Sequence, residues 1–242
     1  MSLEYVIVGS DTNPMYLEFW DVVSKVWREK FNVIPVLGLI CNEDSEIYED
    51  KYGLVKKFKQ VKGVDTALQS QIVRLYLPKF LDGKCLISDI DMIPLSPKYF
   101  QKNLSKVNNE NVVIYSSDNL GCIKNNMYPM CYISAHSNTF KNVLSLDISW
   151  DEFVYSQNIR KEGWYTDQKF IFERINEYNQ EKNNCIFLNR GWLSSGSAEK
   201  RIDRIKWEYI PEKVKEDYYI DCHSLRPYSQ HKEEIDKLIK LL

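Results

Sequence analysis

The chain has 242 residues, 44% of them hydrophobic and 27% charged, with a formal net charge of -2. That size and apolar share suit one α/β domain with a sizeable core. The balanced charge excludes the broad basic field of a nucleic-acid binder, and no apolar run has the roughly 20 residues of a membrane span. Residues 1–10 lack a basic leader region, so no secretion signal is expected. The six cysteines (Cys41, Cys85, Cys122, Cys131, Cys185 and Cys222) are scattered, with no Cys-x-x-Cys pair. They read as reduced thiols of a cytoplasmic protein.

In chain order, the first half alternates strand and helix. Tyr5-Val6-Ile7-Val8 is a buried-strand run that ends at Gly9-Ser10-Asp11. Thr12-Asn13-Pro14 suits a helix start, with Pro14 at the first helical position. Phe19, Val22, Val23, Val26 and Trp27 then recur at helical spacing. Residues 33–40 form a second buried strand. This opening implies a right-handed crossover and a mostly parallel sheet flanked by helices. Residues 54–58 give a short third strand. Asp65 or Thr66 caps a helix to about Phe80, loosened in its last turn by Pro78. Leu68, Ile72 and Leu75 share one face of it, and Arg74 lies off that stripe. Residues 84–88 are the next strand, and Pro94 bars it from continuing in a central ladder.

The second half is less regular. Strands are expected over 111–115, 130–133 and 185–188, and helices over 150–160, 167–178 and 232–242. Residues 191–196 form a Ser/Gly-rich loop that holds Trp192.

The most informative stretch is Ser88-Asp89-Ile90-Asp91-Met92-Ile93-Pro94. Residues i and i+2 on extended backbone face the same way, so Asp89 and Asp91 would present two carboxylates beyond a strand end. Two hard oxygen ligands there suit Mg²⁺ or Mn²⁺. Taken alone, the pair also fits two solvated loop acids.

This segment resembles the Asp-x-Asp element of GT-A-fold glycosyltransferases. Upstream, Gln71-Ile72-Val73-Arg74-Leu75-Tyr76 resembles the arginine-bearing helix of the retaining, glycogenin- and galactosyltransferase-like branch. Tyr165-Thr166-Asp167-Gln168 resembles its Asp-Gln element. Asp221-Cys222-His223-Ser224-Leu225-Arg226-Pro227-Tyr228 resembles its closing His…Lys-Pro-Trp element, with Arg226 for the lysine and Tyr228 for the tryptophan. The His–Arg spacing is shorter than usual in that branch. Compact viral and bacterial sugar transferases share this build.

The resemblance implies a single GT-A-like domain over residues 1–242, with 1–95 as a nucleotide-binding half and 96–242 as an acceptor-side half. It implies transfer from a nucleotide-sugar donor, UDP-linked by expectation, to a carbohydrate or glycoconjugate acceptor. Asp91 and His223 would ligate Mn²⁺ or Mg²⁺, with Asp89 reaching the metal or the donor ribose. An imidazole in the set favours Mn²⁺. Arg226 would face the phosphates. Arg74 would contact them or hold Asp89.

Gly9, Ser10 and Asp11 are candidates for the donor nucleoside, and equally for a plain turn; Asp44 is a lesser one. Asp167 and Gln168 would line the reacting face, or Asp167 would be the general base if the enzyme inverts. As a first-turn acid, Asp167 also needs no function. Trp192 is the acceptor-side aromatic. Rival readings are a nucleotidyltransferase, although no Gly-rich phosphate loop is evident, and a noncatalytic carbohydrate- or protein-binding module.

Overall fold

The computed structural model describes residues 2–104, 107–191 and 198–242. Its centre is an eight-stranded sheet in the order β3-β4-β2-β1-β5-β8-β7-β9. The strands are β1 (Tyr5–Asp11), β2 (Ile34–Cys41), β3 (Tyr48–Glu49), β4 (Leu54–Lys59), β5 (Lys84–Ile87), β7 (Val112–Ile114), β8 (Ile133–His136) and β9 (Cys185–Phe187). Strands β4, β2, β1 and β5 run parallel, and β8 pairs antiparallel to both β5 and β7. The α/β class and the mostly parallel sheet flanked by helices are as expected.

Alternation along the strands sends their side chains to two cores. Val6, Val8, Leu37 and Leu86 join Val23, Trp27 and Phe31 of the helix Phe19–Phe31 on one face. Ile7, Val36, Ile40 and Ile87 join Ile72 and Val73 of the helix Thr66–Tyr76 on the other. Each face is thus covered by the apolar stripe of a helix. Asn13 caps the first helix through its side chain, with Pro14 at the start, and Asp65 caps the helix Thr66–Tyr76. Pro78 falls in a 3₁₀ turn, Leu77–Phe80, that ends this helix early.

Three expectations are corrected. The first strand does not stop at Val8; it runs through Gly9 and Ser10 to Asp11, because β1 stays in register with β2 from Tyr5–Ile34 to Asp11–Ile40. The expected strand at 130–133 lies instead at Ile133–His136, opposite β5. The third concerns the strand at 84–88. It ends at Ile87, and Asp89 to Met92 is a turn in which the Met92 amide donates to the Asp89 carbonyl. The two aspartates are therefore not on one extended backbone.

A second, three-stranded sheet was not legible in the sequence. It contains β6 (Met92–Pro94), β10 (Arg201–Asp203) and β11 (Asp221–His223), in the order β10-β11-β6. Pro94 sits on its edge strand, where its missing N–H costs no ladder bond. Strand β11 pairs antiparallel with β6, setting His223 opposite Met92, and parallel with β10, setting Asp203 opposite His223. Residues from both halves of the sequence thus share each sheet.

Candidate functional site

Strand order reverses between β1 and β5, and in open α/β sheets ligands bind beyond the carboxyl ends of the strands at such a switch. Asp11 ends β1 and Asp89 follows β5 at that edge. Asp11 accepts hydrogen bonds from the Asn13 amide (3.0 Å) and the Thr66 hydroxyl (2.8 Å). Ser10 is buried, its hydroxyl donating to the Asp11 carbonyl. Gly9 lies under the helix Thr66–Tyr76: a Cβ there would overlap the Ser70 carbonyl oxygen and lie 2.7 Å from Val73 Cγ1. Helix packing is a complete reason for this glycine. Asp44 meets Lys56 at 3.4 Å.

Arg74 leaves that helix on its buried side and ties two acids together. Its guanidinium donates to Asp89 and, at 2.6 Å, to Asp167 Oδ2. A third contact goes to the Ser88 carbonyl at 3.2 Å. Asp167 is 1% exposed, in the first turn of the helix Thr166–Lys182, and its Oδ1 accepts the Gln168 amide at 2.8 Å. Burial alone would lower the Arg74 pKa, but Asp89 and Asp167 outweigh it and hold the guanidinium charged. Burial would raise the Asp89 carboxyl, and Arg74 outweighs that, leaving it below the ordinary range. At Asp167 burial wins and pushes the carboxyl up against the pull of Arg74. Gln168 Oε1 lies 3.9 Å from the Cys122 sulfur.

Asp91 is 5% exposed and faces a different set of groups. The pairing of β11 with β6 places His223 beside it, and the Ser224 amide donates to the Asp91 carbonyl at 3.0 Å. His223 Nε2 is 3.7 Å from Asp91 Oδ2. The other ring nitrogen, Nδ1, is 3.3 Å from Asp203 Oδ2. An acceptor there favours the tautomer that leaves Nε2 with its lone pair toward Asp91. Burial, helped by Arg204 and Arg201, pulls the imidazole pKa down against Asp91 and so keeps the ring neutral. Arg204 donates to Asp91 Oδ2 at 3.0 Å. Arg226 reaches the same oxygen at 3.7 Å while bonding the Tyr16 hydroxyl at 2.6 Å and lying over the Tyr16 ring.

The sequence candidates thus fall into two neighbouring groups, Arg74–Asp89–Asp167 and Asp91–His223–Arg226. Trp192 lies outside the described residues. Arg204, Asp203, Tyr16 and Thr66 are additions that the sequence did not single out. Among the described residues no three His, Cys, Asp or Glu side chains gather closely enough to hold a metal ion. Two do fit as a pair. An ion sits about 2.1 Å from an oxygen or imidazole ligand, so the 3.7 Å between Asp91 Oδ2 and His223 Nε2 is short enough for one ion to touch both. The Asp89 carboxylate is instead ion-paired with Arg74.

One cleft, about 370 Å³, is lined by Gln71 and Thr166, neighbours of Arg74 and Asp167. A larger one of about 640 Å³, walled by Lys30, Lys98 and Val214, contains none of the residues above. We place the site by its chemistry rather than by cavity size. No helix among the described residues is long and apolar enough to cross a membrane, and all six cysteines are free thiols.

No protein-family model matches the chain, and no curated protein does. Solved structures do. A glycosyltransferase involved in glycosylation of the major capsid of PBCV-1 is 9% identical, with 99% of this chain aligned to 100% of that one at a TM-score of 0.51. The galactosyltransferase LgtC, solved with donor and acceptor sugar analogs, is 10% identical, with 98% and 94% covered at 0.50. The glycosyltransferase GlyE of Streptococcus pneumoniae TIGR4 is 12% identical over 93% of this chain at 0.49. This chain spans about half of GlyE, 55% of its length. Identities this low speak to fold alone, and the chain shares the α/β fold of the first two.

Proposed function

We propose that the protein is a glycosyltransferase that moves a sugar from a nucleotide-sugar donor, UDP-linked by resemblance, to a hydroxyl of a carbohydrate or glycoconjugate acceptor. One observation carries the reading. At the carboxyl edge of a glycosyltransferase-like sheet, the second aspartate of an Asp-x-Asp segment meets a neutral histidine and two arginines drawn from segments remote in sequence. Carboxylate plus imidazole suits a divalent ion, Mn²⁺ ahead of Mg²⁺. Bound there, the ion would supply Lewis-acid stabilisation of the departing diphosphate.

The residues divide the remaining work. Asp91 and His223 hold the ion, and Asp203 orients the imidazole. Arg226 and Arg204 turn from Asp91 to the diphosphate oxygens, where a guanidinium binds in bidentate fashion. Asp11 faces the nucleoside. Arg74 fixes Asp89 toward the donor and Asp167 toward the transferred sugar. Both oxygens of Asp167 are engaged, by Arg74 and by the Gln168 amide. That supports Asp167 and Gln168 as residues lining the reacting face, rather than Asp167 as the base of an inverting enzyme.

The test is thermal melting against UDP, GDP and their sugars, with and without Mn²⁺. A ligand at a hundred times its dissociation constant adds about 2.7 kcal/mol of stability. A metal-dependent shift with UDP or GDP that vanishes in Asp91→Ala is expected. If no nucleotide shifts the melting point, the donor site is refuted and a noncatalytic binding module becomes the better account.

A further inference from the structure

Beside the Arg74–Asp167 pair lies the cleft of about 370 Å³. That volume is within the range of about 300–1,000 Å³ that small ligands occupy. It opens at the same sheet edge as the donor groups. The helices Thr66–Tyr76 and Thr166–Lys182 both begin there, and each gives it a wall. Gln71 stands one turn before Arg74, and Thr166 directly precedes Asp167, so the cleft and the reacting face share a border. The Gln71 amide donates to the Trp164 carbonyl at 3.2 Å and ties the two walls together.

The lining is amphipathic. Trp164 lies along the cleft with 58% of its surface exposed. Among the described residues no other ring stacks on it and no cation covers it. Asp65, Gln71, Asn158 and Lys161 bring polar groups around it. Gly163, at φ +61°, has open space where a side chain would stand, which leaves room beside the indole. A flat apolar ring left open to water, rimmed by amide, carboxylate and ammonium groups, matches a pyranose. A sugar ring has an apolar C–H face for the indole and an equator of hydroxyls for the rim.

We infer that this cleft is an acceptor subsite that binds a hexopyranoside against the Trp164 indole, with its reactive hydroxyl turned toward Asp167. The assignment as acceptor rests on the glycosyltransferase reading; the sugar-binding claim does not. It places an acceptor contact on Trp164.

Saturation-transfer NMR with the methyl α- and β-glycosides of glucose, galactose and mannose tests it, alongside the UDP melting shift. At least one glycoside should show transfer in the wild-type protein. Stacking of this kind predicts a loss of about fivefold in affinity for Trp164→Ala. Trp164→Phe, which keeps a ring, should retain part of it. Trp164 is exposed, so the Ala variant should melt as the wild type does and still show the UDP shift. Glycoside binding that survives Trp164→Ala overturns the subsite, as does no binding by any of the six with the UDP shift intact. Glycoside binding lost in Trp164→Ala, with no UDP shift in the wild type, upholds the subsite and removes the donor reading instead.

Discussion

Strand β11 carries two acidic clusters two residues apart, and they are built differently. At Asp221 both carboxylate oxygens are filled. Arg190 donates to them at 2.7 and 3.2 Å, and Arg201 donates twice at 2.9 Å. All three side chains are nearly or fully buried. At Asp91 a single oxygen collects Arg204 at 3.0 Å and His223 and Arg226 at 3.7 Å, and the partners are 19–29% exposed. Each cluster keeps one buried guanidinium nitrogen with no partner, Arg190 Nε in the first and Arg204 Nη1 in the second. The first cluster has the form of a closed clamp. The second has the form of a site whose charges await something else. Charge composition is the same kind in both; what separates them is how fully the carboxylate is bonded and how deeply its partners are buried.

The largest expected effect tests the closed cluster. Asp221→Asn removes the anion between two buried guanidiniums, and breaking a buried pair in this way costs about 3–5 kcal/mol. Urea denaturation should show that loss, against a typical total of about 5–15 kcal/mol. Asp91→Asn, measured the same way without ligand, should lose far less. Equal losses would erase the distinction. Acid gives a second view. Burial would raise the Asp221 carboxyl, but Arg190 and Arg201 outweigh it and hold the group far below the usual carboxylate range. A carboxyl depressed in the folded state contributes its full stability above its unfolded pKa of about 3.9. That contribution drains away as pH falls below about 5 toward the folded value. Stability of Asp221→Asn should therefore fall less steeply with acid than that of the wild type; a parallel fall would contradict the clamp.

Why the closed cluster escaped sequence reading while much of the open one did not is a matter of range. Asp89, Asp91, His223, Arg226 and Asp167 stand in short local patterns, and the structure draws them to one sheet edge. Strand and helix order in the first 90 residues was equally legible, because each element carries its own periodicity. The small sheet was not. Strand β10 has three residues, two of them charged, in a run from Glu199 to Arg204 with no alternation to read. Its identity as a strand comes only from pairing with β11, twenty residues later. Arg204, Asp203 and Arg201 reach their partners through that pairing alone. Gly9 was read as a nucleoside contact or a plain turn, and neither reading named the neighbour that this glycine admits, the Arg74 helix.

A smaller effect sharpens the open cluster. Asp203 stands behind His223 and sets which nitrogen faces Asp91. Removing the group that orients a histidine ligand typically weakens metal binding by about 10–100-fold. Asp203 is 35% exposed, so the lower figure applies, and Asp203→Ala should weaken Mn²⁺ binding about tenfold by calorimetry. The folded stability of the variant should stay close to that of the wild type. Unchanged Mn²⁺ affinity would count against His223 as a ligand, and its 3.7 Å approach to Asp91 would then be a plain packing contact.

The smallest expected effect is the most telling for the comparison. Arg204→Ala removes one 3.0 Å contact to Asp91, which lowers stability a little. It also removes a buried nitrogen with no partner, whose desolvation costs about 1–3 kcal/mol. These terms oppose each other, so the change in unfolding free energy should be near zero, within about 1 kcal/mol and of either sign. Arg190→Ala, in the closed cluster, also removes an unpartnered nitrogen, Nε, but should still cost several times that, because Asp221 would lose two of its four hydrogen bonds. Near-zero cost at Arg204 means that folding does not need this arginine there. Metal and nucleotide then separate its roles. With Arg204 gone from Asp91, Mn²⁺ alone should bind at least as well as before, while UDP with Mn²⁺ should bind more weakly for want of a phosphate partner. A stability loss at Arg204 as large as at Arg190 would make the Asp91 cluster a second clamp, with its arginines spent on the fold rather than held for a diphosphate.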